Sequence, residues 1–129
     1  MMVARAFRPA EPMRHPAISV RLDPEFSARR LLDNMLNGVF SALGESHLAG
    51  ADIDWRHNPS DDIEWLIILN KFYHAPGLVQ AWINSGDRRY LNAWKRQLRG
   101  WIATMEPGFI AADVTGRRLQ NWIYALALW

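Results

Sequence analysis

The chain has 129 residues, of which 50% are hydrophobic and 22% charged, with no cysteine and a formal net charge of +2. This length suits one domain with a modest core, and the composition excludes a disordered or low-complexity chain. The lack of cysteine excludes disulfides, thiol nucleophiles and iron–sulfur clusters, and no apolar run approaches the ~18 residues that a membrane-spanning helix needs.

The positive charge is concentrated near the N-terminus. Residues 1–30 carry a net charge of +3, and the remaining residues sum to −1. Nucleic-acid-binding domains usually carry a basic stripe on their folded surface. Because no such excess accumulates beyond residue 30, we expect no nucleic-acid partner.

Residues 1–22 are predicted to form an extended or flexible N-terminal arm. Pro9, Pro12 and Pro16 are interspersed with Arg and Ala, without a hydrophobic or helical period. The segment contains no apolar core of the kind a secretory signal peptide needs. The sequence as it stands therefore leaves the compartment unknown.

Residues 23–129 are predicted to form a helical domain. Asp23 followed by Pro24 is typical of a helix start, and apolar residues then recur at spacings of three and four as far as Gly44. We therefore expect a first helix that ends at this glycine.

A second helix is predicted to begin at Asp61, because Glu64 follows at the spacing of a capping box. The residues from Trp65 to Tyr73 are apolar on most sides, which indicates a helix buried between layers. Pro76 and Gly77 predict a kink or break before Leu78. Gly86 is placed to end the next helix in a left-handed conformation.

Asp87 is predicted to cap a further helix with a regular apolar period. Its opposite face is basic, and we interpret this face as solvated rather than as a polyanion site. Pro107 ends the helix, and a last helix starts at about Thr115 and contains Trp122. The chain stops at Trp129 without a cap or polar tail, so we expect it to be part of a larger domain.

The fold class that these patterns predict is all-α. The short Gly86-Asp87 connection implies an antiparallel helical hairpin, and we expect the other helices to repeat this arrangement. Helices buried on more than one side favour a layered helical array, either a solenoid or a closed α/α toroid.

Catalytic and metal-binding motifs are missing from the sequence. The four histidines are isolated, so we predict no metal site and no cofactor. The seven tryptophans suit helix packing or stacking on sugar rings. Trp55 lies in a polar loop and is the best candidate for a sugar-stacking role.

Three ordered segments resemble the N-terminal domain of the heparinase II/III family of polysaccharide lyases. They are Asp54 to Asn70, Ser85 to Ile102 and Gly116 to Leu126, and the region that they span covers about 75 residues, more than half of the chain. The resemblance implies the beginning of an α/α toroid, here incomplete, which a β-sandwich region follows in these lyases. It also implies a periplasmic location, whereas the absence of a signal peptide leaves a cytoplasmic one open.

The resemblance further implies β-elimination at a uronic acid in an acidic glycan. An Asn or His neutralises the uronate carboxylate, and a Tyr or His removes the adjacent C5 proton. Family members carry these groups beyond the last of the three segments. The tyrosines of this chain fall in apolar helical patterns, so we assign no catalytic residue and expect the chain to be inactive alone.

The resemblance implies a polar lining for a substrate cleft. Arg117 and Arg118 lie near a helix start and have the chemistry to meet a uronate carboxylate or a sulfate. The alternative is a structural role in fixing loops. The full set of predicted substrate-binding residues is Trp55, Asn58, Glu64, Asn70, Arg117, Arg118 and Asn121.

Three functional hypotheses remain open from the sequence. The first is the N-terminal part of a polysaccharide lyase with an acidic polysaccharide as its partner. The second is a non-catalytic acidic-glycan-binding module, and the third a helical protein-interaction module. An exposed apolar edge would then bind a downstream domain or a second copy of the chain.

Overall fold

The structure, a computed structural model, describes residues 18–129. Five helices and one β-hairpin follow each other along this part of the chain. They are α1 (Arg29–Leu36), β1 (Val39–Ala42), β2 (Glu45–Leu48), α2 (Ile63–Lys71), α3 (Ala75–Ser85), α4 (Arg88–Thr104) and α5 (Ala112–Leu128). Residues 18–22 have no regular secondary structure, and the rest of the predicted arm lies outside the described residues.

The first predicted helix is much shorter than its apolar period indicated. The Oδ1 atom of Asp23 accepts hydrogen bonds from the backbone N–H groups of Glu25 and Phe26, but these stabilise a turn. The helix begins only at Arg29 and ends at Leu36. The prediction of one helix from Asp23 to Gly44 is therefore wrong.

A two-stranded antiparallel hairpin replaces the second half of that helix, so the prediction of a purely α-helical fold is corrected to a mostly helical one. Val39 pairs with Leu48, and Ala42 pairs with Glu45. The connecting residues Leu43 and Gly44 both have positive φ, 56° and 75°, as a two-residue type I′ turn requires.

Gly38 determines where the hairpin begins. Its φ is +80°, and an added Cβ would lie 3.2 Å from the Cα of Gly50. Its carbonyl accepts hydrogen bonds from the N–H groups of Ala49 and Gly50. The chain therefore reverses direction at Gly38, where an uninterrupted helix would continue.

A break between the second and third helices is confirmed, but it lies at residues 72–74 and not at Pro76 and Gly77, which are inside α3. α2 ends at Lys71 because Phe72 adopts a left-handed conformation with φ 59°, and Pro76 then lies in the first turn of α3. The cap of α2 is Asp62 rather than Asp61, since the Asp62 side chain accepts from the Glu64 N–H at 2.9 Å.

The predicted hairpin of α3 and α4 is also confirmed. Gly86 has φ 75° and ends α3, and the Asp87 side chain accepts from the Arg89 N–H at 3.0 Å. Both α4 and α5 pack against α3. The core lies between these helices and the hairpin, and Trp65 and Trp94 are among its largest buried side chains.

α5 begins at Ala112, three residues before the predicted position. Its buried residues recur at spacings of four and three and include polar ones: Val114, Arg118, Asn121, Ala125 and Leu128. Leu119, Ile123 and Leu126 point outward and are 47%, 49% and 52% exposed. Among residues 18–129 no helix is both long and apolar enough to cross a membrane.

Candidate functional site

Asn70, on the last turn of α2, is one of the predicted site residues and is completely buried. Its amide Nδ2 donates to the carbonyls of Trp55 and Leu66, each at 3.0 Å. Its Oδ1 accepts from the Trp101 indole N–H at 2.9 Å. The side chain therefore joins α2 to α4 and to the loop before α2, and it satisfies its own polar atoms.

Arg118, on α5, is also buried, with 1% of its surface exposed. It donates to the carbonyls of Asn70 and Pro107 at 3.2 and 2.9 Å and to the Thr115 hydroxyl at 3.3 Å. Its guanidinium carbon lies 3.8 Å from the centre of the Trp101 ring. Burial lowers the pKa of Arg118 to about 10, so the group stays a cation at neutral pH.

Asn121, also on α5, is buried beside these residues. We call the four side chains the α2–α5 polar network: Asn70, Trp101, Arg118 and Asn121. Asn121 donates to the Lys71 carbonyl at 2.8 Å. The last carbonyls of a helix have no partner within the helix. Here Arg118 and Asn121 supply partners for two of them, and the Arg118 charge lies at the negative end of α2.

The expectation that Trp55 forms an exposed sugar platform is corrected. Its indole is 2% exposed and stacks on Phe72 at 4.8 Å between ring centres, with an angle of 25° between the planes. Burying a large aromatic ring is favourable even where the neighbouring loop residues are polar. Neither face of the Trp55 ring is free for a sugar in this structure.

Asn58 and Glu64 lie in and after the loop that precedes α2. The Asn58 Oδ1 accepts from the Ser60 N–H at 3.1 Å, and its Nδ2 donates to the Asp62 carbonyl at 3.2 Å. Glu64 is exposed in the first turn of the helix. The geometry of Asn58 agrees with the alternative of a loop-fixing role.

The remaining candidate, Arg117, lines an open groove of about 480 Å³ that also reaches Asn121. We call this the Arg117 groove; its polar lining further includes Arg21, Asp23, Tyr73, Gln120 and Tyr124. The Arg117 guanidinium is exposed, lies 5.8 Å from the centre of the Tyr73 ring and donates to the Gln120 Oε1 at 2.7 Å. Of the seven predicted residues, the structure brings only Arg117 and Asn121 to this groove.

A family model described as the heparinase II/III N-terminus matches residues 7–123. The chain belongs to this family. No curated protein matches the chain significantly.

Two solved structures resemble this heparinase II/III N-terminal domain in fold. One is a mutant of the heparan sulfate lyase HepC from Pedobacter heparinus, with 20% identity and a TM-score of 0.65 over 98% of this chain. The other is a heparinase III with methylated lysines, with 21% identity and a TM-score of 0.56 over 95% of this chain. The chain spans 22% and 21% of the length of these two proteins.

One buried polar pair in this heparinase II/III N-terminal domain was not predicted from the sequence. The His74 Nε2 and the Gln97 Oε1 lie 2.7 Å apart, and the imidazole is 0% exposed. Burial lowers the pKa of His74 to about 4, so the ring is neutral at pH 7. Neither residue stands out in the sequence, because both fall within helical apolar patterns.

The part of the chain that the structure describes contains no cluster of three His, Asp or Glu side chains able to hold a metal ion. Tyr90, which the sequence assigned to packing, is 2% exposed and donates its hydroxyl proton to Asp33. Burial raises the pKa of Tyr90. Its hydroxyl therefore stays protonated at neutral pH and is a poor general base.

Proposed function

We propose that this chain forms the N-terminal helical part of a polysaccharide lyase that cleaves uronic-acid-containing acidic glycans by β-elimination. The observation that carries the proposal is the family match over residues 7–123. In the reaction, a residue that neutralises the uronate carboxylate lets negative charge build up, and a base removes the C5 proton. The glycosidic oxygen then leaves with a proton from a general acid.

We further propose that these residues do not catalyse the reaction by themselves. Among residues 18–129, Tyr90 and His74 are buried away from solvent. The tyrosines of the Arg117 groove have no histidine beside them, and the amide of Asn121, the one Asn in its lining, already donates to the Lys71 carbonyl. The chain therefore contributes shape and positive charge, and the predicted hairpins form one arc of a larger α/α toroid.

Arg117 is the residue that we propose to contact substrate. It is exposed in an open groove, and its planar guanidinium can bind a carboxylate through two parallel hydrogen bonds. The buried polar network holds α5 against α2 and so sets the position of Arg117. In this arrangement Asn70, Arg118 and Asn121 support the groove from behind rather than touch the glycan.

The proposal is tested by incubating the purified chain with heparan sulfate and with alginate. We expect binding by titration calorimetry but no ultraviolet absorbance from an unsaturated uronate product. Arg117→Gln should weaken binding by about fivefold, a loss of about 1 kcal/mol. Arg30→Gln removes the same charge from the exposed surface of α1 and should leave the Kd unchanged.

Two results would contradict the proposal. Rapid product formation by the chain alone would show that its own residues catalyse the elimination. Failure of the chain to bind any uronate polymer would argue against a glycan-contacting role for these residues.

A protein-interaction role is the second candidate, and the outward stripe of Leu119, Ile123 and Leu126 favours it. Three exposed apolar side chains on one helix face are typical of a surface that another protein segment covers. Sedimentation velocity should then show self-association that Leu119→Gln combined with Ile123→Gln removes. A monomer at high concentration would argue against a second copy as the partner.

A further inference from the structure

Two hydrogen bonds on the surface of α5 connect three side chains that line the Arg117 groove. The Arg117 Nη1 donates to the Gln120 Oε1 at 2.7 Å, and the Gln120 Nε2 donates to the Tyr124 hydroxyl at 3.0 Å. The three residues lie at intervals of three and four along the helix, so they follow one side of α5, and all of them line the groove. The Gln120 amide therefore links the exposed cation of the groove to a tyrosine hydroxyl.

The chemistry of the three groups fixes the direction of both hydrogen bonds. A guanidinium group only donates, so the Gln120 amide must turn its oxygen toward Arg117. The NH2 group of the amide, which also only donates, then faces Tyr124, and the tyrosine oxygen has to accept. The hydroxyl proton of Tyr124 forms no hydrogen bond within residues 18–129. It is therefore available to an acceptor in the groove.

The contacts of Arg117 hold its guanidinium in place and leave one edge of it free. Its Nη1 is bonded to Gln120, and its central carbon lies 5.8 Å from the centre of the Tyr73 ring. The opposite edge, formed by Nε and Nη2, has no partner in the described part of the chain. This edge can bind a carboxylate through two parallel hydrogen bonds, because Arg117 and Gln120 are exposed and Tyr124 is half-buried.

The two free donors, on Arg117 and Tyr124, are too far apart to share one carboxylate. The two residues are seven positions apart, which corresponds to about 10 Å along a helix, and the Gln120 side chain lies between them. A carboxylate bound to Arg117 therefore leaves Tyr124 for a different group of the same ligand. A hydroxyl donor suits a neutral oxygen, such as a sugar hydroxyl.

We propose that Tyr124 is a second substrate-contacting residue of the Arg117 groove and that Gln120 is the residue that positions both. Tyr124 donates to a neutral oxygen on the sugar next to the uronate that Arg117 binds. The inference rests on the proposed function, because it takes Arg117 as the carboxylate-binding residue. It adds a requirement that is independent of the charge of the glycan, since the ligand must extend over at least two sugars to reach both donors.

The role of Tyr124 is tested by measuring the Kd of the full chain for two ligands by NMR titration. One ligand is a heparan sulfate tetrasaccharide, and the other is glucuronate, a single uronate. Tyr124→Phe removes only the hydroxyl group and should weaken tetrasaccharide binding by about fivefold. The same variant should change the Kd for glucuronate by less than about twofold, because a single uronate does not reach Tyr124.

The role of Gln120 is tested by two substitutions that keep the length of the side chain. Gln120→Glu accepts from the Tyr124 hydroxyl and neutralises Arg117, so tetrasaccharide binding should fall by at least about tenfold. Gln120→Met bonds to neither neighbour and should weaken binding by about threefold, but by much less when Arg117→Gln and Tyr124→Phe are already present. Gln80→Met is the matched control, because Gln80 donates to the Asn84 Oδ1 at 2.9 Å on α3, outside the groove. The urea denaturation midpoint should stay the same in all these variants.

Each outcome supports or overturns a stated part of the proposal. An unchanged tetrasaccharide Kd in Tyr124→Phe, with Arg117→Gln still weakening binding, would overturn the role of Tyr124 and leave the proposed function standing. Equal losses for both ligands in Tyr124→Phe would overturn the two-sugar requirement. A loss in Gln120→Met that persists without Arg117 and Tyr124 would show that Gln120 does not act through them. If the unchanged chain binds neither ligand, the proposed function fails, and this inference fails with it.

Discussion

α4 and α5 are both seventeen residues long and both pack on α3, yet their faces are arranged in opposite ways. α4 buries aromatic and aliphatic side chains and exposes its cations. α5 buries Arg118 and Asn121 and exposes Leu119, Ile123 and Leu126. The residues on the inward face of a helix therefore depend on the hydrogen-bonding groups of the neighbouring helix as well as on hydrophobicity.

The requirement in this case comes from α2. Its C-terminal carbonyls at Asn70 and Lys71 face α5 and need donors, because unpaired carbonyls in a dry interior are costly. Arg118 and Asn121 supply those donors. The inward face of α4 is almost entirely apolar, with Gln97 as the polar exception, and its Trp101 indole N–H donates to the Asn70 side chain rather than to a terminal carbonyl of α2.

The largest effect on stability is expected from Arg118→Ala, which removes the buried cation of α5. The change leaves the Asn70 and Pro107 carbonyls short of donors and opens a cavity beside Trp101. We expect the free energy of unfolding to fall by about 3 kcal/mol, as measured by urea denaturation. Arg117→Ala, one residue earlier on the exposed side, should cost less than about 0.5 kcal/mol.

A small loss in Arg118→Ala would contradict the view that the polar face of α5 stabilises the fold. Arg118→Lys separates the contribution of the charge from that of the hydrogen-bond geometry. Lysine keeps the charge but lacks the planar fork that reaches two carbonyls at once. An intermediate loss is therefore expected if hydrogen-bond geometry matters as well as charge.

The sequence predicted the end of α3 and the whole of α4 well because local signals agreed there, whereas α3 begins at Ala75, before the Pro76 and Gly77 that were expected to precede it. Gly86 and Asp87 stop one helix and start the next, and the apolar period of α4 is regular. The β-hairpin was missed because Val39 and Phe40 also fit a helical spacing. In the sequence, Gly38 and Gly44 favour a hairpin over a continuous helix at this position, because glycine readily adopts the positive φ that both residues have in the structure.

The candidate site was predictable in part. The resemblance to the family drew attention to Asn70, Arg118 and Asn121 as polar positions, and the structure brings them together. Their burial was not predictable, because the carbonyls that they satisfy belong to a helix end about fifty residues away in sequence.

A smaller effect is expected from pH, and it concerns the one polar side chain that α4 buries. Gln97 contacts His74, whose pKa is lowered from 6.5 to about 4 by burial. The unfolded chain therefore binds a proton more readily than the folded one as the pH falls. Stability should be full above about pH 6.5 and should drop by about 2 kcal/mol between pH 7 and pH 5.

Urea denaturation at these two pH values measures the effect. His74→Gln should be less stable at pH 7 but should show a much smaller difference between the two pH values. His57→Gln replaces an exposed histidine and should keep the full difference. A difference that survives in His74→Gln would mean that other groups cause the acid sensitivity.

The smallest expected effect compares how the two long helices begin. The Asp87 side chain accepts from the Arg89 N–H at the start of α4, whereas Ala111 precedes α5 and offers no side-chain acceptor. Asp87→Ala should lower the free energy of unfolding by about 1 kcal/mol, and Ala111→Ser should raise it by a similar or smaller amount. Ala111 already has the extended backbone of a capping residue, φ −146° and ψ 163°, so the serine needs no rearrangement. Thermal or urea denaturation measures both changes. If Ala111→Ser does not raise the free energy of unfolding, the start of α5 is stabilised by the Arg118 contact to the Pro107 carbonyl and not by a cap on its own first turn. α4 and α5 would then differ in how their first turns are stabilised as well as in which residues they bury.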